Sequence, residues 1–146
     1  MRQILYMSRE RAEEFIPPAN SSILSIYTPG CKPAKLHGSW ETVQSWARED
    51  NDVPMTPEDI ALVWAWVEAN KNRNLYVHCD AGISRSGGVA HAVGLYLAAT
   101  PTPLEQSGII DILAEVGEHV GMADLINTRI KADLVRHLWE KRLMGD

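Results

Sequence analysis

The residues on which chemistry could be built stand together in Val77-His78-Cys79-Asp80-Ala81-Gly82-Ile83-Ser84-Arg85-Ser86-Gly87-Gly88. A thiol and a guanidinium lie six positions apart, separated mostly by short side chains and one glycine. A loop of this composition lets successive backbone N–H groups turn inward and form a cup the size of a tetrahedral anion. The arginine can grip two oxygens of such an anion with its planar fork. The cysteine sulfur then faces the anion's central atom, and the chemistry implied is attack of a thiolate on a phosphate ester. Taken singly, a cysteine is more often a small buried hydrophobe and an arginine a surface charge. The combination of both in one short loop is what favours the chemical reading.

That reading needs a strand before the loop and a helix after it. Leu75, Tyr76 and Val77 supply strand-type residues, and the small-residue run from Val89 to Ala99 supplies the helix. The helix, expected from Gly87, would place its positive end beneath the cup. Gly87 and Gly88 allow its backbone to approach the cup and neighbouring elements closely.

The remaining segments supply a scaffold. Gln3 to Met7 reads as a strand, and Ser8 as the cap of a short helix ended by Pro17-Pro18. Ser22 to Tyr27 is a second strand, stopped by Pro29-Gly30. Residues 31–38 form a loop whose Cys31, Lys32, Lys35 and His37 read as incidental polar groups rather than a metal site. Glu41 to Arg48 is a third strand, leading into the polar stretch Arg48-Glu49-Asp50-Asn51-Asp52-Val53-Pro54. Thr56, Pro57, Glu58 and Asp59 then open a well-capped helix. Ile60, Val63, Trp64 and Val67 give that helix one apolar face. Thr102-Pro103-Leu104-Glu105 reads as another capped helix start, followed by Ile109, Ile110, Ile112, Leu113 and Val116. Asn127 reads as the cap of a last helix with Ile130, Leu134 and Leu138 inward. The pattern predicts one α/β domain over residues 1–146. It has a mainly parallel central sheet of about four strands, flanking helices and a helical C-terminal part.

His78-Cys79-x5-Arg85-Ser86 resembles the signature of the cysteine-dependent protein tyrosine and dual-specificity phosphatase superfamily. The form Cys-Asp-Ala-Gly-Ile-Ser-Arg-Ser is most similar to small bacterial and phage-type members. Ile23 to Gly30 and Met55 to Ile60 resemble an early strand and a helix start of that group. The resemblance implies a phosphocysteine intermediate on Cys79. Arg85 and the backbone of Asp80, Ala81, Gly82, Ile83 and Ser84 would bind phosphate. Ser86 would hydrogen-bond the sulfur, a role compatible with capping the helix, and His78 would support the loop. Gly82 is expected to need a backbone angle that a side chain would hinder. Asp80, a carboxylate in an anion site, is expected to point outward toward a cation of the substrate or a nearby arginine. A general acid is implied on the loop after the preceding strand. Asp50 fits that place best, Asp52 second and Glu41 third.

Composition narrows the function classes. The net charge of −5 comes with acids and bases mixed, without the basic face of a nucleic-acid binder. No apolar run approaches the ~20 residues of a membrane span. The start of the sequence has no signal-peptide pattern, and two cysteines cannot build a disulfide framework. A reactive thiolate suits a reducing compartment, so cytoplasm is the expectation. The chemistry calls for no cofactor or metal. Expected partners are a phosphorylated protein or small phosphomonoester, with a phosphate- or sulfate-type anion in the site. The loop has no lysine, which inositide-directed members of the resembled group often carry, and this favours phosphoproteins. Two rival readings remain: a phosphate-binding pseudophosphatase or interaction module, and an arsenate or sulfur-transfer enzyme on a related anion loop.

Overall fold

The computed structural model describes residues 2–104 and 125–143, and the side chains of 142 and 143 are not part of the description. Strand β1 (Gln3–Ser8) runs into helix α1 (Arg9–Glu14), where the Ser8 hydroxyl accepts from the Arg11 N–H. Strands β2 (Ser21–Tyr27) and β3 (Thr42–Ala47) follow, then helix α2 (Pro57–Asn70), strand β4 (Asn74–Cys79) and helix α3 (Ser84–Leu97). A short strand β5 (Thr100–Pro103) comes next, and helix α4 (Thr128–Leu143) is the last described element. The sheet has five strands in the order β3-β2-β4-β1-β5, every neighbouring pair parallel. The fold is therefore α/β, with one more strand than the sequence suggested.

The period of two along the strands explains how the sheet is covered. Ile4, Tyr6, Leu24, Ile26, Leu75, Val77 and Cys79 share one core with Val63, Trp64 and Val67 of α2, Val89 and Val93 of α3, and Ile130 and Leu134 of α4. The intervening residues Met7, Ile23 and Tyr76 face a second core with Ala12 of α1 and Trp40. Strand β2 is buried on both faces, with Ser21, Ser22 and Ser25 enclosed beside Ile23, Leu24 and Ile26. Thr56 caps α2 by accepting from the Asp59 N–H at 3.1 Å, with Pro57 at the first helical position. Trp66 is buried as well, so the apolar face of α2 is wider than the spacing of Ile60, Val63, Trp64 and Val67 implied.

Two sequence expectations change. Thr102 and Pro103 belong to edge strand β5 rather than to a helix, and Glu105 of the expected helix start lies outside the described residues. The Thr100 N–H donates to the Arg2 carbonyl just before β1, and the Leu104 N–H to the Tyr6 carbonyl of β1. Pro101 and Pro103 take the alternate, outward-facing positions, where a missing N–H breaks no ladder bond. Helix α3 begins at Ser84, not Gly87, so Arg85 lies within its first turn. The run Ile109, Ile110, Ile112, Leu113 and Val116 lies outside the described residues. Among the described residues no helix is long and apolar enough to cross a membrane.

Candidate active site

Parallel strands leave their carboxyl ends on one edge of the sheet, where ligands of open α/β folds bind. Cys79 is the last residue of β4, the middle strand, and its Cα pairs with that of Ser8 on β1. The chain then turns through Asp80–Ile83 into α3. Gly82 makes the turn possible. Its φ is +77°, and a Cβ there would lie 2.3 Å from the Ser8 nitrogen and 2.5 Å from the Met7 carbonyl carbon. The loop packs on β1 at backbone distance, and the Arg9 N–H donates to the Asp80 carbonyl at 3.2 Å.

Cys79 is buried, yet its sulfur has polar company. The Gly82 N–H donates to Sγ at 3.3 Å, and the Ser86 hydroxyl lies 3.2 Å away. Both place a hydrogen-bonding group against the sulfur. His78 is fully buried between Ser25 Oγ, 2.6 Å from Nε2, and the Cys79 carbonyl, 3.4 Å from Nδ1. A carbonyl only accepts, so the proton sits on Nδ1 and Nε2 accepts from Ser25. Burial pushes the imidazole down to about 4, against a partial upward pull from the Cys79 carbonyl. His78 is neutral at ordinary pH and holds the strand end in place.

Arg85 is buried and held by three protein acceptors. Nη1 donates to Thr28 Oγ1 at 3.2 Å and to the Arg48 carbonyl at 2.7 Å, and Nη2 donates to Asp80 Oδ2 at 2.9 Å. Thr28 Oγ1 in turn donates to Asp80 Oδ2 at 2.8 Å. Burial pushes the Asp80 carboxyl up, but hydrogen bonds from Thr28 and Arg85 and the Arg85 charge outweigh it and leave it below the usual range. Among the described residues, the buried Nε has no hydrogen-bond partner. Of five guanidinium N–H groups, the two not engaged among the described residues sit on Nε and Nη2, along one edge of the fork. The cation that Asp80 meets is Arg85, in the first turn of α3.

The carboxylate candidates separate clearly. Asp50 Oδ1 accepts from Ser84 Oγ at 2.6 Å and from Asn127 Nδ2 at 2.9 Å, so this exposed side chain reaches the cup. Asp52 is exposed, and nothing among the described residues ties its carboxyl to the loop. Glu41 stands at the amino end of β3, the opposite edge of the sheet. Ala81 is exposed, Ile83 is buried at the start of α3 and Ser84 is half-buried against Asp50.

No protein-family model matches the chain, and no curated protein matches it.

Thr28, Arg48 and Asn127 are the site residues that sequence reasoning missed as such. Thr28 and Arg48 lie just beyond the carboxyl ends of β2 and β3. The Arg48 side chain donates to the carbonyls of Asn51 and Val53 at 3.0 and 2.7 Å, bracing the loop that carries Asp50. Asn127 was visible as a helix cap, and it does accept from the Ile130 N–H at 3.0 Å. Its other contacts come from tertiary packing, which local pattern does not reveal. Cys31 is exposed and free, and the carbonyls of Lys32 and Pro33 accept from Arg9. Among the described residues no group of three or more His, Cys, Asp or Glu could hold a metal ion.

Proposed function

We propose that the chain is a phosphomonoester hydrolase of the protein tyrosine or dual-specificity type, working through a phosphocysteine on Cys79. The observation that carries this reading is a buried arginine, one fork edge unengaged among the described residues, in the first turn of the helix that follows a loop placing hydrogen-bonding groups against a cysteine sulfur. Two phosphate oxygens fill the Nε and Nη2 edge, joined by loop N–H groups and the N-terminal end of α3. The Cys79 thiolate attacks phosphorus and forms the S–P bond as the P–O bond to the leaving group breaks. Asp50 gives its proton to the departing oxygen. Water then attacks phosphorus and loses a proton to Asp50, and the S–P bond breaks. The Ser86 hydroxyl steadies the thiolate as it leaves. The sum is monoester plus water giving alcohol plus inorganic phosphate, with cysteine and aspartate restored. A phosphorylated protein in the cytoplasm is the substrate class that this reading favours.

Hydrolysis of an aryl phosphate by wild type, Cys79→Ser, Asp50→Asn and Asp52→Asn tests the proposal. Cys79→Ser is expected to abolish turnover. Asp50→Asn is expected to lower kcat by about 10²- to 10⁴-fold, the usual worth of a general acid and base. Asp52→Asn should stay close to wild type. Full activity in Cys79→Ser would remove the mechanism, and a loss confined to Asp52→Asn would move the acid to that residue.

A further inference from the structure

Asp50 is exposed on a loop, and a general acid displaced by about 1 Å loses on the order of 10²-fold in rate. Its carboxyl therefore needs something rigid against it. Ser84 supplies one donor from the first turn of α3. The other comes from Asn127, just ahead of α4. Its Nδ2 donates both to Asp50 Oδ1 and to the Asn51 carbonyl, each at 2.9 Å. Its backbone N–H donates to the Ser84 carbonyl at 2.8 Å, and its Oδ1 caps α4. Gly88 lets this segment approach α3, since a Cβ there would lie 2.7 Å from the Asn127 carbonyl oxygen.

Capping uses only the acceptor half of the amide, and Ser or Asp would serve that purpose about equally well. The donor half is aimed elsewhere, at the acid and at the backbone beside it. We propose that Asn127 is a positioning residue for the general acid, tying the Asp50 loop, the Cys79 loop and α4 into one unit. The proposal rests on the reading of Asp50 as the acid. An amide NH2 donates and cannot accept, so it selects Oδ1 as the oxygen without the proton. The transferable proton is then carried on Oδ2, and the carboxyl is prevented from rotating.

The test measures kcat/KM for a series of aryl phosphates with increasingly basic leaving groups, in wild type, Asp50→Asn, Asn127→Ser and Asn127→Asp. Thermal midpoints accompany each variant. Wild type should depend weakly on leaving-group basicity and Asp50→Asn steeply. Asn127→Ser keeps a cap oxygen and loses the NH2 donor. It should fall roughly tenfold to a hundredfold on the most basic leaving groups and less than about threefold on the least basic. Asn127→Asp keeps shape and cap but sets an acceptor against Asp50, and should fall at least as far. Should it not fold, Asn127→Ser makes the same comparison. In the double variant Asp50→Asn/Asn127→Ser, little should be lost beyond Asp50→Asn alone. Wild-type dependence in both Asn127 variants, or additive losses in the double variant, would overturn the proposal and leave Asp50 as acid. Identical slopes in wild type and Asp50→Asn would instead overturn the underlying assignment.

Discussion

His78 illustrates how a residue beside the proposed nucleophile can serve the site without exchanging protons. Its ring is enclosed with Ser25 on one nitrogen and the Cys79 carbonyl near the other, and burial holds it down to about 4. An unfolded histidine titrates near ~6.5, so between those values the unfolded chain takes a proton that the folded chain refuses. The stability that depends on a neutral His78 is intact above pH ~6.5 and is lost as pH falls toward 4, by roughly 3 kcal/mol. Urea denaturation from pH 7.5 to 4.5 checks this. Wild type should lose stability steeply, and a His78→Asn variant should show a shallower slope whatever its absolute stability. Equal slopes would mean that the ring is protonated in the folded state.

At the scale of elements, the turn between β4 and α3 brings Cys79 and Arg85 together, and Gly82 sets the turn. Gly82→Ala would place a methyl 2.3 Å from the Ser8 nitrogen at a φ of +77°. Either the loop leaves β1 or the backbone strains. The expected cost is on the order of 2–4 kcal/mol in urea denaturation, with activity falling further than the loss of folded protein explains. A variant as stable and active as wild type would contradict the geometry. This loop was legible in the sequence because its working parts are contiguous, from His78 to Ser86. Strand β5 was not, because Thr-Pro repeats imitate a capped helix start and its pairing with β1 joins residues far apart in sequence. Asn127 was half legible: capping is a local signal, whereas its bonds to Asp50 and Asn51 reach residues in the connection from β3 to α2, far away in sequence.

At the scale of the whole molecule, the parallel sheet gathers the site. Ser8 and Arg9, Thr28, Arg48 and Asp50, and Cys79 to Arg85 follow or end four different strands, all at the carboxyl edge. Arg85 links three of these segments through Thr28, the Arg48 carbonyl and Asp80, and α4 joins through Asn127. The second grip of α4 is Asp133, which accepts from the Met55 N–H at 2.9 Å just before α2. The alternation of apolar residues foretold strands and helices and therefore this class of fold. Which strand ends meet depends on strand order, which no local pattern encodes. The central claim is a covalent bond from phosphorus to the Cys79 sulfur, and rapid acid quenching during turnover of a radiolabelled aryl phosphate tests it most directly. The account expects label on Cys79, accumulating further in Asp50→Asn, where water is no longer activated. Steady hydrolysis by wild type with no label on that sulfur would contradict it.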